Sequence, residues 1–271
     1  MPQPTSNAQT KAQYISRRAF FAWWVSGGVK LLGMKEQTLV DIDCVVVETA
    51  PNPQVSVIWL HGLGADGHDF VPIVPQLVTA KRVPMRFVFP NAPRIPVSIN
   101  QGIVMPAWYD ILGFDVSRDQ DEAGIMASVK KIDRLIEHES SSPGIQQVVL
   151  AGFSQGGAIA LRAGLATHHR LAGIIALSTY LLNDDRLNDW RSPVQDDTHV
   201  FMGHGQSDPI VPLALGQSAH RALSEAGFQV RWQTWPMGHE VCPEEIQRVD
   251  DFLTACCQSS RATEPTANAN P

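Results

Sequence analysis

The sequence predicts an α/β fold with a mostly parallel central sheet and helices on both of its faces. Apolar runs of strand length recur along the chain and alternate with stretches of helical periodicity. The chain has 271 residues, of which 44% are hydrophobic and 18% are charged. This composition is typical of a globular protein, and the length suits one α/β domain with a substantial core. We therefore expect one domain with three layers, over residues 34–258.

The predicted strands are short apolar runs bounded by Pro, Gly or Asn. They comprise residues 43–48, 55–61, 86–89, 147–151, 173–177, 199–203 and 229–235. Because helical stretches separate most of them, neighbouring strands should be parallel, and functional residues should lie on the loops at their carboxyl ends.

Two helices are predicted between these strands, and a third follows the last strand. The first begins in the acidic segment 119–122, as the helix macrodipole favours. Its apolar face carries Ile125, Val129, Ile132 and Ile136. The second spans residues 213–226 and is closed by Gly227, and the third spans 244–256 and is entered at Pro243. We find no internal repeat and no second domain.

Charge and cysteine content exclude some classes of protein. The net charge is −6, and no run of Lys or Arg exceeds two residues, so nothing indicates binding to nucleic acid. The four cysteines, Cys44, Cys242, Cys256 and Cys257, show neither metal-binding spacing nor the density of a disulfide framework. They favour a reducing compartment, with Cys44 in a strand core and Cys256 and Cys257 at a helix end.

The two ends of the chain are predicted to lie outside the fold. Residues 1–33 contain Arg17 and Arg18 before an apolar run that is too short to span a membrane. The segment is similar to a twin-arginine export leader, but no A-x-A cleavage site follows. The missing site favours the alternative that Met34 is the true start. Residues 259–271 are small and polar, and we expect a disordered tail there.

A Gly-x-Ser-x-Gly pentapeptide occupies residues 152–156, between a predicted strand and a small-residue helix. A Ser on a sharp strand-to-helix turn requires neighbours, two residues away on each side, with almost no side chain. Such a turn exposes the Ser Oγ at a helix N-terminus, where unpaired N–H groups can hold negative charge. A chance match is the alternative, but the strand and the helix favour a nucleophile elbow at Ser154.

A nucleophilic serine needs a base, usually His, and the base needs a carboxylate that fixes its tautomer. His239 follows the last predicted strand, and Asp208 follows the strand before it. The order Ser154, Asp208, His239 is the order of triads built around this type of elbow. Asp208 could instead begin a turn before Pro209, and His239 could be a helix-entry residue. These would be independent coincidences, so we expect a catalytic triad.

Acyl transfer also needs N–H donors for the oxyanion of the tetrahedral intermediate. We expect one at Gln155, directly after the nucleophile, and one at Leu63, in the Gly-rich loop 61–67 that follows a predicted strand. The alternative for this loop is a metal site at His61 and His68. It is disfavoured because neither residue lies at a recognised ligand spacing and no acidic cluster accompanies them.

A long segment, residues 90–110, carries four prolines and is too apolar for disorder. We expect a structureless loop that forms a pocket wall for an apolar acyl or alcohol group, with Met105 and Trp108 as pocket residues. The alternative is that its apolar residues merely anchor the loop to the core, and for Ile103 and Val104 we prefer that alternative.

The chain resembles the phospholipase/carboxylesterase family, which includes acyl-protein thioesterases and bacterial carboxylesterases. The resemblance extends from about Met34 to Cys256. It rests on the motifs HGLGADGH at 61–68, PNAP at 90–93, MPAWYD at 105–110, GFSQGG at 152–157, DPIVP at 208–212 and GH at 238–239. The resemblance implies an α/β-hydrolase fold without a large cap and with neither a metal nor an organic cofactor. It also implies the Ser154, Asp208 and His239 triad, with oxyanion donors at Leu63 and Gln155.

Motifs and resemblance together predict a serine hydrolase that cleaves carboxylic esters through an acyl-enzyme on Ser154, with acyl thioesters and lysophospholipids as further candidate substrates. A lactone hydrolase or peptidase on the same fold is one alternative, and an inactive hydrolase-fold binding module is another. Lactone hydrolases of this fold use a Cys nucleophile, whereas residue 154 is Ser. Peptidases of this fold usually carry an extra domain, for which there is no room. Inactive binding modules generally lose triad residues, whereas all three are present here.

The expected partner is a small-molecule ester or another acylated substrate. We expect no nucleic acid and no stable membrane insertion. The expected location is the cytoplasm, unless the leader exports the protein. Exposed apolar loop residues could pair two copies into a homodimer.

Overall fold

The structure, a computed structural model, describes residues 33–113 and 120–259. The predictions for the N-terminal extension and the C-terminal tail therefore fall almost wholly outside the described residues. One boundary is corrected: Ser259, assigned to the tail, is the last residue of the final helix, Pro243–Ser259.

The core of the fold is an eight-stranded sheet with the order β1-β2-β4-β3-β7-β8-β9-β10. Its strands are β1 (Met34–Leu39), β2 (Ile42–Glu48), β3 (Val55–Leu60), β4 (Met85–Pro90), β7 (Gln147–Phe153), β8 (Gly173–Leu177), β9 (Val200–Gly205) and β10 (Val230–Trp235). Only the β1–β2 and β2–β4 pairs are antiparallel. The prediction of a mostly parallel sheet is confirmed.

Strand β1 was not predicted from the sequence. Its residues, MKEQTL, contain no apolar run, because an edge strand pairs through its backbone on one side only and leaves most side chains in solvent. It joins β2 through a tight turn in which Val40 and Asp41 have φ of 42° and 70°. Two successive residues with positive φ are the geometry of a type I′ hairpin turn.

Helices cover both faces of the sheet, and the sheet separates two apolar cores. One core packs under α2 (Glu122–Ser140), α3 (Gln155–Ala166) and α5 (Leu213–Glu225). The other packs under α6 (Pro243–Ser259), α1 (Thr79–Arg82) and the short 3₁₀ helix Val71–Gln76. A further short helix, α4, spans Leu187–Trp190. The three-layer arrangement buries central strands on both faces, as every residue of β3 shows.

Helix α2 shows how local sequence fixes an element. Asp121 caps it, since the Asp121 side chain accepts a hydrogen bond of 2.9 Å from the backbone N–H of Gly124. The four residues of the predicted apolar face are all buried in the first core. This helix therefore begins and packs as the acidic start and the 3.6-residue periodicity predict.

Residues 90–110 are not a structureless loop. They contain a two-stranded hairpin of β5 (Arg94–Val97) and β6 (Ile103–Pro106). Ile103 and Val104 are 50% and 52% exposed, so the preferred interpretation that they anchor the segment to the core is wrong. Strands of four residues carry too little periodicity to be recognised, and residue type alone does not decide which apolar side chains stay in solvent.

Within residues 33–113 and 120–259, no helix has the length and apolar character needed to cross a bilayer.

Candidate active site

Ser154 stands on the sharp turn between β7 and α3. Its backbone has φ of 55° and ψ of −123°, a conformation that non-glycine residues rarely adopt. Two contacts hold the turn: the Ser154 N–H donates to the carbonyl of Leu177 (2.9 Å), and the Thr179 hydroxyl donates to the Ser154 carbonyl (2.7 Å). The strain is thus retained by bonds to the neighbouring strand and the loop that follows it.

The two glycines of the pentapeptide are required by close backbone approach. A Cβ at Gly152 would lie 2.4 Å from the carbonyl oxygen of Gly156, across the turn. A Cβ at Gly156 would lie 2.4 Å from the carbonyl oxygen of His61 and 2.6 Å from that of Leu60. These glycines therefore let the elbow close on itself and pack against the end of β3.

The structure brings together the three side chains of the predicted triad. His239 Nε2 lies 2.9 Å from Ser154 Oγ, and His239 Nδ1 lies 2.7 Å from Asp208 Oδ2. Because a carboxylate only accepts, Nδ1 carries the proton, and Nε2 has a lone pair directed at the serine hydroxyl. The Phe153 ring packs against His239 with centroids 4.7 Å apart. The arrangement can transfer a proton from Ser154 to His239.

Asp208 is held by its own loop. Its Oδ1 accepts hydrogen bonds from the backbone N–H groups of Ile210 (2.8 Å) and Val211 (2.9 Å). Burial by itself would raise the pKa of Asp208, but the hydrogen bond and charge of His239, together with the two N–H donors, hold that pKa below its ordinary value. The Asp208 side chain is fully buried and yet ionised, which suits a group that stabilises an imidazolium.

The loop after β3 lies against the elbow. A Cβ at Gly62 would be 3.4 Å from the Cβ of Ser154, and Gly64 has φ of 76° and donates to the Pro106 carbonyl (2.8 Å). Leu63 lies between these glycines in the chain. Gln155 is the first residue of α3, where backbone N–H groups have no partner within the helix. Gln155 and the loop that carries Leu63 thus lie next to Ser154, and their role as oxyanion donors stays a prediction.

His61 positions this loop, a role that the sequence did not reveal. Its Nδ1–H donates to the Gly62 carbonyl (2.7 Å), and its Nε2 accepts from the Ala92 N–H (3.1 Å). Burial lowers the pKa of His61, so the ring is neutral and can serve both as donor and as acceptor. Its contacts connect the loops that follow β3 and β4.

Gln155 also acts through its side chain. The amide Oε1 accepts from the Trp108 N–H (2.9 Å), and Nε2 donates to the Tyr109 carbonyl (2.8 Å). Gln155 lies at a variable position of the pentapeptide, so the motif alone gives no signal for this contact.

The two predicted pocket residues lie on the segment after β5. The Met105 sulfur is 3.8 Å from where a Cβ on Gly64 would be, so Met105 packs on the Leu63 loop. Trp108 is buried and its indole N–H donates to the His61 carbonyl (2.8 Å). It borders a cleft of about 790 Å³ near β1 and β2 that does not include Ser154. Their role as acyl-pocket residues stays a prediction.

Among the described residues, no group of three or more His, Cys, Asp or Glu side chains is arranged to hold a metal ion. His68 lies 3.3 Å from Glu36 and 3.3 Å from Asp66 at the surface, and His61 is occupied by backbone groups.

Comparisons with known proteins agree with this fold. The family model described as phospholipase/carboxylesterase matches residues 42–257. Acyl-protein thioesterase 1 of Neurospora crassa is 40% identical over 221 residues, covering 78% of this chain and 90% of that protein. Acyl-protein thioesterase 1 of Gibberella zeae is 40% identical over 219 residues, covering 77% and 93%.

Solved structures show the same architecture. Arabidopsis thaliana SOBER1 is similar with a TM-score of 0.69 and 27% identity, covering 76% of this chain and 100% of that chain. Zea mays acyl-protein thioesterase 2 is similar with a TM-score of 0.67 and 27% identity, covering 78% and 98%. The resemblance and the fold inferred from the sequence are confirmed. The chain therefore belongs to the phospholipase/carboxylesterase family and is a serine hydrolase of carboxylic esters with the α/β-hydrolase fold.

Proposed function

We propose that Ser154, His239 and Asp208 catalyse this hydrolysis and that the physiological bond is an acyl thioester. The observation that carries the first part is the continuous relay of 2.9 Å and 2.7 Å from the Ser154 hydroxyl through His239 to Asp208. The second part is supported by the relatives at 40% identity that are named acyl-protein thioesterase 1.

Acylation starts when Ser154 Oγ attacks the carbonyl carbon and His239 Nε2 takes its proton. Asp208 accepts the hydrogen bond from His239 Nδ1–H and stabilises the imidazolium that forms when Nε2 is protonated. The N–H groups of Leu63 and Gln155 hold the negative oxygen of the tetrahedral intermediate, and each donor of this kind is typically worth about 10²–10³ in rate. Collapse breaks the bond to the leaving sulfur or oxygen, which receives the proton from His239.

Deacylation repeats these steps with water. His239 removes a proton from the water, the hydroxide attacks the acyl-enzyme, and Ser154 Oγ leaves with the proton that His239 returns. The carboxylic acid then departs and the relay is restored.

The connection between β8 and β9 supports an acyl group carried on a larger molecule. Four of its side chains are buried in the first core: Tyr180, Leu181, Leu182 and Leu187. The spacing from Ser154 to Asp208 leaves no room for a large cap, which agrees with this arrangement.

The test of the catalytic residues is labelling and turnover in Ser154→Ala. We expect no reaction with a fluorophosphonate probe and a loss of kcat of about 10⁶-fold, as in a serine protease that lacks its nucleophile. Ser192→Ala is the matched control, because Ser192 is another buried serine and its hydroxyl contacts His168 instead. This variant should keep both probe labelling and kcat. Near-normal ester hydrolysis by Ser154→Ala would refute the assignment.

The test of the substrate is a competition panel of short esters, long acyl thioesters and lysophospholipids. We expect the acyl thioesters to have the highest kcat/KM. A clear preference for an ester or a lysophospholipid would overturn the thioester proposal and leave the catalytic residues untouched.

We also propose a cytoplasmic location, supported by the low cysteine content and by the lack of any disulfide among the described residues. The mass of the native N-terminus and cell fractionation test it, and recovery in an exported fraction would contradict it.

Two copies could pair through exposed Ile103 and Val104. Light scattering that gives a monomer mass at micromolar concentration would exclude such a homodimer.

A further inference from the structure

His204 is a buried imidazole that the proposed mechanism does not use. It lies next to the last residue of β9, and its side chain is wholly shielded from solvent. The ring is held between Trp232, whose ring centroid is 6.0 Å away, and Gly216 of α5. A Cβ at Gly216 would lie only 2.5 Å from His204 Nδ1, so the helix closes directly over the ring. The imidazole is therefore fixed in position.

Hydrogen bonding fixes the tautomer as well. His204 Nε2 lies 2.9 Å from the carbonyl oxygen of Val211. A carbonyl oxygen only accepts, so Nε2 carries the proton and Nδ1 has a lone pair. That Nδ1 has no hydrogen-bond partner in the part of the chain that the structure describes. An apolar residue would avoid this unpartnered nitrogen, so packing alone does not account for a histidine here.

The bond to Val211 reaches the proposed triad through Asp208. The N–H of Val211 donates to Asp208 Oδ1 (2.9 Å), and the carbonyl of Val211 accepts from His204. The same Nε2 lies 3.6 Å from Asp208 Oδ2, the oxygen that accepts from His239. Both polar groups of Val211 are thus engaged, one by the carboxylate and one by the buried ring.

We propose that His204 is a positioning residue for Asp208: by holding Val211 it fixes the 208–211 turn, so that Oδ2 stays directed at His239. This inference rests on the proposed catalytic residues. Without the ring, the Val211 carbonyl loses its partner and the turn can rotate. Asp208 would then lose one of the two N–H donors to its Oδ1, and a displacement of about 1 Å at a catalytic group can cost about 10²-fold in rate.

The charge state of the ring fits this role. Burial lowers the pKa of His204, although the Val211 carbonyl and Asp208 act in the opposite direction. A neutral His204 ring does not compete with the His239 imidazolium for the negative charge of Asp208. A cation at His204, 3.6 Å from Oδ2, would compete for that charge.

The test is a double-mutant cycle between residues 204 and 208. His204→Leu removes the donor, and we expect kcat/KM for an activated ester to fall by about 10²-fold. His204→Gln places an amide N–H near the position of Nε2 and should stay within about threefold of wild type, because one donor to the Val211 carbonyl is kept. In an Asp208→Ala background there is no carboxylate to position, so His204→Leu should lower kcat/KM by less than about a further twofold.

A loss from His204→Leu that is equally large with and without Asp208 would overturn the proposal, since the ring would then act through general stability. Equal losses in the Gln and Leu variants would overturn it too. If His204→Leu does not fold, His204→Asn replaces it, because the shorter amide does not reach Val211. Met202→Ala, buried on the same face of β9, is the control: it should lower the denaturation midpoint and keep kcat/KM.

The outcome separates this inference from the proposed function. If Ser154→Ala or Asp208→Ala retains full activity, the catalytic assignment itself fails. If both lose activity and only the cycle disagrees, His204 alone has been assigned wrongly.

Discussion

The side chain of Gln155 holds the backbone on both sides of the peptide bond between Trp108 and Tyr109. It accepts from the Trp108 N–H at 2.9 Å and donates to the Tyr109 carbonyl at 2.8 Å. The residue that is expected to supply an oxyanion donor from its backbone therefore also fixes, with its side chain, the segment that follows the β5–β6 hairpin. These two roles can be separated, because a substitution at 155 keeps the backbone N–H.

Gln155→Ala should lower stability and change substrate binding while it keeps the nucleophile reactive. It leaves a buried N–H and a buried carbonyl without partners, which costs about 1–3 kcal/mol for each group. We expect a lower free energy of unfolding in urea and a raised KM for long acyl substrates, with fluorophosphonate labelling retained. The control is Gln206→Ala, an exposed glutamine that contacts Thr234. Loss of labelling in Gln155→Ala would contradict the separation of the two roles.

Gly156→Ala should prevent the elbow from packing. Its new Cβ would lie within 2.6 Å of two backbone oxygens at the end of β3, and backbone atoms cannot move aside as a flexible side chain can. We expect a loss of about 3 kcal/mol or more in the free energy of unfolding, or an insoluble protein. Gly238→Ala is the comparison, because the nearest atom to a Cβ there is 3.9 Å away. Equal free energies of unfolding for Gly156→Ala and Gly238→Ala would show that residue 156 does not pack closely against the end of β3.

Asp208→Asn should lower activity far more than stability. The asparagine oxygen can still accept from Ile210 and Val211, but its amide group cannot accept the His239 Nδ1–H bond that fixes the tautomer. By analogy with the serine-protease triad, kcat should fall by about 10⁴-fold. Steady-state hydrolysis of an activated ester measures this loss, with exposed Asp184→Asn as control. A fall of less than tenfold would argue against Asp208 as the orienting carboxylate.

We expect Glu245 to make the free energy of unfolding depend on pH. Its carboxyl is buried in the first turn of α6, neither oxygen has a hydrogen-bond partner among the described residues, and burial raises its pKa from 4.5 to about 8. Below pH 4.5 the carboxyl is protonated in both states. Between pH 4.5 and about 8 only the folded protein keeps the proton, so stability falls as pH rises and levels off above about 8.

Glu245→Gln removes this titration. The difference in unfolding free energy between variant and wild type should grow in favour of the variant from pH 5 to pH 8, by at most about 1.4 kcal/mol per pH unit. Urea unfolding at several pH values measures it. Glu244→Gln, on the same turn but exposed, should show no such trend. A difference that stays constant with pH would mean that Glu245 is ionised in the folded protein.

Local sequence determined much of the fold. The alternation of apolar runs and helical periodicity predicted a mostly parallel sheet, and the acidic start of α2 predicted its N-terminus. The pentapeptide around Ser154 predicted a strand-to-helix turn, which the backbone at Ser154 adopts. Such features are readable because their causes lie within a few residues: side-chain alternation, capping and the absence of a Cβ at Gly152 and Gly156.

Tertiary structure decided the rest. Strand β1 exists because β2 offers a backbone to pair with, and the β5–β6 hairpin is a pairing of strands too short to recognise alone. The hydrogen bonds of His61, Gln155 and His204 join segments that composition does not connect. Ser154 and His239 are 85 residues apart in the chain and 2.9 Å apart in space. The sequence set their order along the chain, but only the order of strands in the sheet sets that distance.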